Sequence, residues 1–149
     1  MVKQQHKPGL VIIIIALIAI TAIVIGATVW GSTLYFNQQY ANEHDGCMPG
    51  QPNHKVVIQN DTVSPSNTVG LRCQTLTITN LDDIQREVAF GPHEGHVAYD
   101  GIKEELLTKG QSLTVTLVQT GNFRFHDHEH DEVQGTFTVQ PEATSNAHN

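Results

Sequence analysis

The chain has 149 residues, with eight Lys and Arg against fifteen Asp and Glu, a formal charge of −7. That length holds one ordinary domain, and the acidic balance argues against a nucleic-acid partner. Residues 10–30 carry no charge, whereas the 113 residues from Asn37 onward carry six of the basic and all fifteen of the acidic residues, −9 in total. This distribution excludes a soluble cytoplasmic enzyme. Five of the nine His fall within the 38 residues 93–130, and that concentration needs an explanation.

Residues 10–30 are an apolar run of 21 residues dominated by Ile and Val. At about 1.5 Å per residue a helix of that length crosses a hydrocarbon core of about 30 Å. Ile and Val favour strands in water, but in lipid the backbone must satisfy its own hydrogen bonds, and helix is selected. Lys3 and Lys7 precede the run, and the next basic residue is Lys55. The positive-inside rule then places residues 1–9 in the cytoplasm and the C-terminal part outside, on a single-pass anchor in the cell membrane. A cleaved signal peptide has a shorter apolar core, about 7–15 residues, so the run reads as an uncleaved signal-anchor. Residues 31–53 follow as a tether, turn-rich at Asp45-Gly46, Pro49-Gly50 and Pro52.

Cys47 and Cys73 are the only thiols. An even pair outside the cytoplasm is most often a disulfide, here joining the tether to the start of the folded domain. The 26-residue spacing contains no CxxC pair, and no His lies close to Cys73.

Residues 54–141 read as strands. Val56–Ile58 is a β-branched run, Leu76 and Ile78 alternate with Thr75, Thr77 and Thr79, and Leu113, Val115 and Leu117 alternate with Thr114 and Thr116. Phe123 and Phe125 flank Arg124, and Phe137 and Val139 alternate with Thr136 and Thr138. Turn residues bound each run. Short strands at this spacing indicate an all-β sandwich or small barrel. Residues 102–107 suggest one helical turn, and residues 142–149 a flexible tail.

The last hairpin carries the chemistry. Strand alternation puts Phe123, Phe125 and Asp127 on one face and Arg124, His126 and His128 on the other, with His130 beyond the turn. Upstream, Pro92-His93-Glu94-Gly95-His96 ends another strand. Imidazole is the commonest protein ligand for copper, zinc, iron and nickel. Two His at i and i+2 on a strand lie roughly 6.5–7 Å apart at the backbone, so their rings can converge on one ion. His6, His44, His54 and His148 have no chelating neighbour at a strand or turn spacing and read as ordinary surface residues.

This frame resembles the cupredoxin domain, the plastocyanin-like copper fold. That family ends on G-x-[YF]-x-[YF]-x-C-x-x-H, a loop, a Met, and G-x-[IVF]-x-V. Here Gly121, Phe123, Phe125, Asp127 and His130 fill the frame, and Gly135, Phe137 and Val139 close it. The resemblance implies a Greek-key β-sandwich, here preceded by the one transmembrane helix read from residues 10–30. It makes His93 the counterpart of the early copper-binding His. It also implies two departures: Asp127 stands where the family has its copper-binding Cys, and Val133 stands near the Met. A site without thiolate favours a tetragonal Cu(II)-type or a Zn-type ion over blue copper.

Phe125-His126-Asp127-His128 is also similar to the Y-H-D-H stretch of multicopper oxidase domains, and His93-Glu94-Gly95-His96 to their H-P-x-H stretch. In that family such His pairs bind copper where two cupredoxin domains meet, so the similarity implies a second cupredoxin-like or redox protein as a possible partner. Two ligand sets follow. The inner set is His93, Asp127 and His130, and is slightly favoured; the outer set is His96, His126 and His128. Asp127 has the alternative role of orienting a ligating imidazole.

The expected function is an extracytoplasmic metal-binding protein, holding copper (alternatively zinc) for capture, delivery or slow redox chemistry, rather than an enzyme. The competing reading is a metal-free cupredoxin-shaped module that binds a protein or envelope partner. A cupin dioxygenase is disfavoured: His126-x-His128-x-x-x-Glu132 fits half of its motif, but only 17 residues follow Glu132.

Overall fold

The computed structural model describes residues 8–142. Lys3, Lys7, His6, His148 and most of the expected tail lie outside the described residues. The chain divides into two compact units, one up to Gln39 and one from Tyr40 on.

The first unit is most of helix α1, Pro8–Glu43. Its apolar side chains from Ile12 to Phe36 are exposed. The hydroxyls of Thr21, Thr28, Ser32 and Thr33 donate to carbonyls three or four residues back. A helix apolar on every side, with its few polar groups satisfied internally, suits lipid rather than water. It is long and apolar enough to serve as a membrane anchor or a signal sequence. Helix continues past Trp30 through residues expected to be tether. Residues 37–43, NQQYANE, hold no Gly or Pro, and the first helix-breaking glycine is Gly46 at φ 83°.

The second unit is a sandwich of two sheets. Its strands are β1 (Asn53–Gln59), β2 (Thr62–Ser64), β3 (Asn67–Leu71), β4 (Thr75–Asn80), β5 (Arg86–Phe90), β6 (Glu104–Leu107), β7 (Ser112–Thr116), β8 (Gly121–Asp127) and β9 (His130–Gln140). One sheet has the order β2-β1-β4-β7 and the other β3-β9-β8-β5-β6. The core is built from the alternating apolar residues, among them Val56, Ile58, Leu76, Ile78, Val88, Phe90, Leu113, Val115, Phe125 and Phe137. The 102–107 segment is not a helical turn: Glu104–Leu107 is edge strand β6, paired antiparallel with β5. Gly135 sits under Phe125, where an added Cβ would collide with the ring. Cys47 and Cys73 form the expected disulfide and pack with Val118.

Candidate metal centre

The site is built on β5 and β8. Val88 pairs with Asp127, Ala89 with His126 and Phe90 with Phe125. Directly opposed residues share a face. Val88, Phe90 and Phe125 belong to the core, so Asp127 faces the sandwich interior while Ala89 and His126 face outward. His128 continues the outer row, its N–H donating to the Glu87 carbonyl at 2.8 Å.

The turn after β5 folds back over this outer face. Gly91 adopts φ 86°, a left-handed conformation that favours glycine, and donates to the Arg124 carbonyl at 3.0 Å. Val97 N–H donates to the Phe90 carbonyl, and Gly95 N–H to that of Pro92. These bonds hold His93 and His96 above the strand. Four imidazoles therefore meet: the ligand atoms of His93, His96, His126 and His128 all lie within 4.8 Å of one another. His93 stacks on His128 at 4.9 Å between ring centroids, and His96 lies 4.7 Å from His128 and 5.2 Å from His126. His96 Nε2 and His128 Nδ1 are 3.0 Å apart.

His126 is the buried member. Although it points outward from the sheet, the turn covers it completely. Neither of its ring nitrogens has a hydrogen-bond partner among the described residues. Burial pushes its pKa down, against the opposing pull of Asp131, so the ring is held neutral. An unpartnered buried polar group costs about 1–3 kcal/mol, and such groups are rare in folded proteins. Asp131 enters the same neighbourhood because β9 shifts register against β8 at His126 and Asp127. Its Oδ1 lies 3.9 Å from His126 Nε2 and 4.0 Å from His93 Nδ1.

The two sets expected from the sequence are rearranged. All three outer residues, His96, His126 and His128, are in the group, and His93 joins them from the inner set. Asp127 and His130 are not brought to it. Asp127 is fully buried on the core side and takes a hydrogen bond from Arg86 Nη1 at 2.9 Å. It also accepts from the N–H groups of Glu87 and Glu129, and His130 Nδ1 lies 3.1 Å from it. Arg86, 1% exposed, further binds Asp82 and Asp61. Burial alone would lower the guanidinium pKa, but the hydrogen bonds it donates to Asp61, Asp127 and Asp82 outweigh that and raise it. The position that the cupredoxin frame gives to a metal-binding thiolate is thus a carboxylate neutralised by an internal cation. With these partners it does not fit a metal. The outer-face group, four neutral-capable imidazoles with one buried and unpartnered, does.

Arg86 is the residue that the sequence reading missed. Its signal was parity: it is two residues before Val88 and four before Phe90, on the core side of β5. His44 and His54 are structural, their rings bonded to Asp100 at 2.7 Å and Gln74 at 2.6 Å.

No protein-family profile and no curated protein sequence matches the chain. Solved structures do. The purple cupredoxin from Nitrosopumilus maritimus superposes with a TM-score of 0.51 at 20% identity, over 58% of this chain and 98% of that one. A reduced amicyanin variant gives 0.52 at 20% identity, over 61% and 85%. The Cu(I) form of another amicyanin variant gives 0.53 at 18% identity, over 61% and 85%. The two-sheet unit has the cupredoxin fold, and at these identities the likeness concerns fold alone.

Proposed function

We propose that this chain is a membrane-anchored, extracytoplasmic copper-binding protein in which His93, His96, His126 and His128 hold one copper ion. The observation that carries the reading is His126: a fully buried ring with two unpartnered nitrogens, facing three further imidazoles within ligand reach. Residues 10–30 span the membrane, with Lys3 and Lys7 inside.

The residues divide the work. His126 and His128 are fixed by the strand. His93 and His96 arrive on the turn, and binding draws the two segments together. Burial keeps His126 neutral and available as a donor. Asp131 supplies negative charge beside the group, which offsets part of the charge of a bound cation. Copper, when bound, supplies either a redox couple or the cargo itself. His93, 45% exposed, is the ligand that solvent or an acceptor protein reaches first, which favours capture and delivery. Asp127 and His130 are left to stabilise the sandwich.

The test is titration of the full chain in detergent micelles with Cu(II), with Zn(II) as competitor, followed by electron paramagnetic resonance. The expected result is one Cu(II) per chain, nitrogen-rich coordination, and no intense thiolate–copper absorption. Asp127→Asn and His130→Ala retain the ion, whereas the paired change His126→Asn with His128→Asn loses it. Uptake that persists after all four His are replaced by Ala overturns the assignment. A wild-type chain that takes up no copper leaves the metal-free binding module as the surviving reading.

A further inference from the structure

The four-imidazole group is tethered to a carboxylate that lies outside it. Glu104 on β6 pairs with Ala89 on β5, and Ala89 pairs with His126 on β8. The three therefore form a row across the outer face of the sheet. Ala89, fully buried, contributes only a methyl group to the middle of that row. His96 bridges the row, with Nδ1 2.9 Å from Glu104 Oε2 and its ring 5.2 Å from that of His126. The His96 side chain is 6% exposed, and that of Glu104 is 45% exposed.

The chemistry of this pair has one arrangement when His96 is neutral. An ionised carboxylate only accepts, so His96 Nδ1 carries the hydrogen. Its Nε2 then carries the lone pair. That is the atom 3.0 Å from His128 Nδ1, which donates to it. The proton chain thus runs from His128 to His96 to Glu104. Glu87 and Glu129 have carboxylate oxygens within 4.8 Å of a His128 ring nitrogen.

We propose that Glu104 is the positioning residue of the metal centre: it selects the His96 tautomer that turns Nε2 toward the ion and pins the 91–97 turn in its closed place. The proposal rests on the copper reading above for its function, but not for its geometry. Carboxylates that hold a ligating imidazole in this way typically contribute about 10–100-fold to metal affinity.

The experiment has two arms on the full chain in micelles. In the metal-free chain, imidazole 15N shifts report the tautomer. His96 is expected as the Nδ1–H form in wild type, and as a mixture with Nε2–H in Glu104→Ala. In the copper-loaded chain, chelator competition is expected to show a fall of about 10–100-fold in Glu104→Ala, with one ion still bound. Glu104→Asp is expected to restore part of the affinity, and Glu105→Ala on the same strand to change neither readout. A His96 that keeps its Nδ1–H form in Glu104→Ala, or an affinity no different from wild type, overturns the proposal. If wild type binds no copper, the metal reading fails alone, and the tautomer arm still decides whether Glu104 sets His96.

Discussion

Replacing Arg86 by Met removes the internal cation while keeping most of the side-chain volume. Asp127 is then a fully buried carboxylate without its charge partner. Breaking a buried ion pair from one side costs about 3–5 kcal/mol. Here the lower end applies, because the N–H groups of Glu87 and Glu129 and the His130 ring remain near the carboxylate. The bridge to Asp61, itself 69% exposed, adds little. A loss of about 3 kcal/mol is a large share of the 5–15 kcal/mol that stabilises an ordinary domain. At about 4–8 °C per kcal/mol for a domain of this size, Tm falls by at least about 12 °C. The double change Arg86→Met with Asp127→Leu should recover most of the loss, since an apolar replacement of the whole pair is often neutral or better. Urea and thermal unfolding of the metal-free chain, followed by the circular dichroism of the sheets, measures both variants. A single variant that loses less than about 1 kcal/mol, the worth of an exposed pair, would refute the reasoning. So would a double variant no more stable than the single one.

Other expectations follow from the same structure. Reducing the Cys47–Cys73 disulfide reopens a loop with a sequence separation of 26, worth about 3.5 kcal/mol by loop entropy, read as a drop in urea midpoint on adding reductant. Gly135→Ala drives a methyl group into Phe125 and should cost about 1–3 kcal/mol, measured in the same assay. Burial acts to raise the Asp82 pKa, but hydrogen bonds from Arg86 and from the Asn60 and Asp61 N–H groups hold it below the usual 3.8. On acidification the unfolded chain therefore takes up that proton first. The Asp82 contribution is fully present above about pH 3.9 and disappears as pH falls through the depressed value. Asp82→Asn should flatten that acid limb of the stability–pH curve, and an unchanged limb would show that Asp82 is not its source.

Much of this was legible because strands have period two. Alternation assigns Phe123, Phe125 and Asp127 to the core face and Arg124, His126 and His128 to the other, and β5–β8 pairing places Phe125 and Asp127 against core residues and His126 beside Ala89. The disulfide and the apolar helix were equally direct. What was not legible depends on contacts distant in sequence. Arg86 meets Asp127 across 41 residues, and an isolated Arg reads as a surface charge. The selection of His93 as the fourth member of the cluster depends on Gly91 reversing the chain over the sheet. The C-terminal end of the helix was hidden because polar residues 37–43 are compatible with either tether or helix.

The alternation of β8 also separates two tasks that a single metal site would combine. One face sends Asp127 inward to a permanent cation, Arg86, which needs no supply and does not leave. The next residue on either side, His126 and His128, faces outward beneath a turn that begins at Gly91. The stability of the sandwich end then rests on the arginine, and the imidazole group lies on the opposite face. A protein that captures and releases an ion would gain from this division, because the Arg86–Asp127 pair on the core side shares no residue with the imidazole group. The buried ion pair and the exposed edge of the imidazole group are therefore complementary parts of one arrangement: the cation that holds the fold is covalent, and under the copper proposal a carried cation would bind on the opposite face.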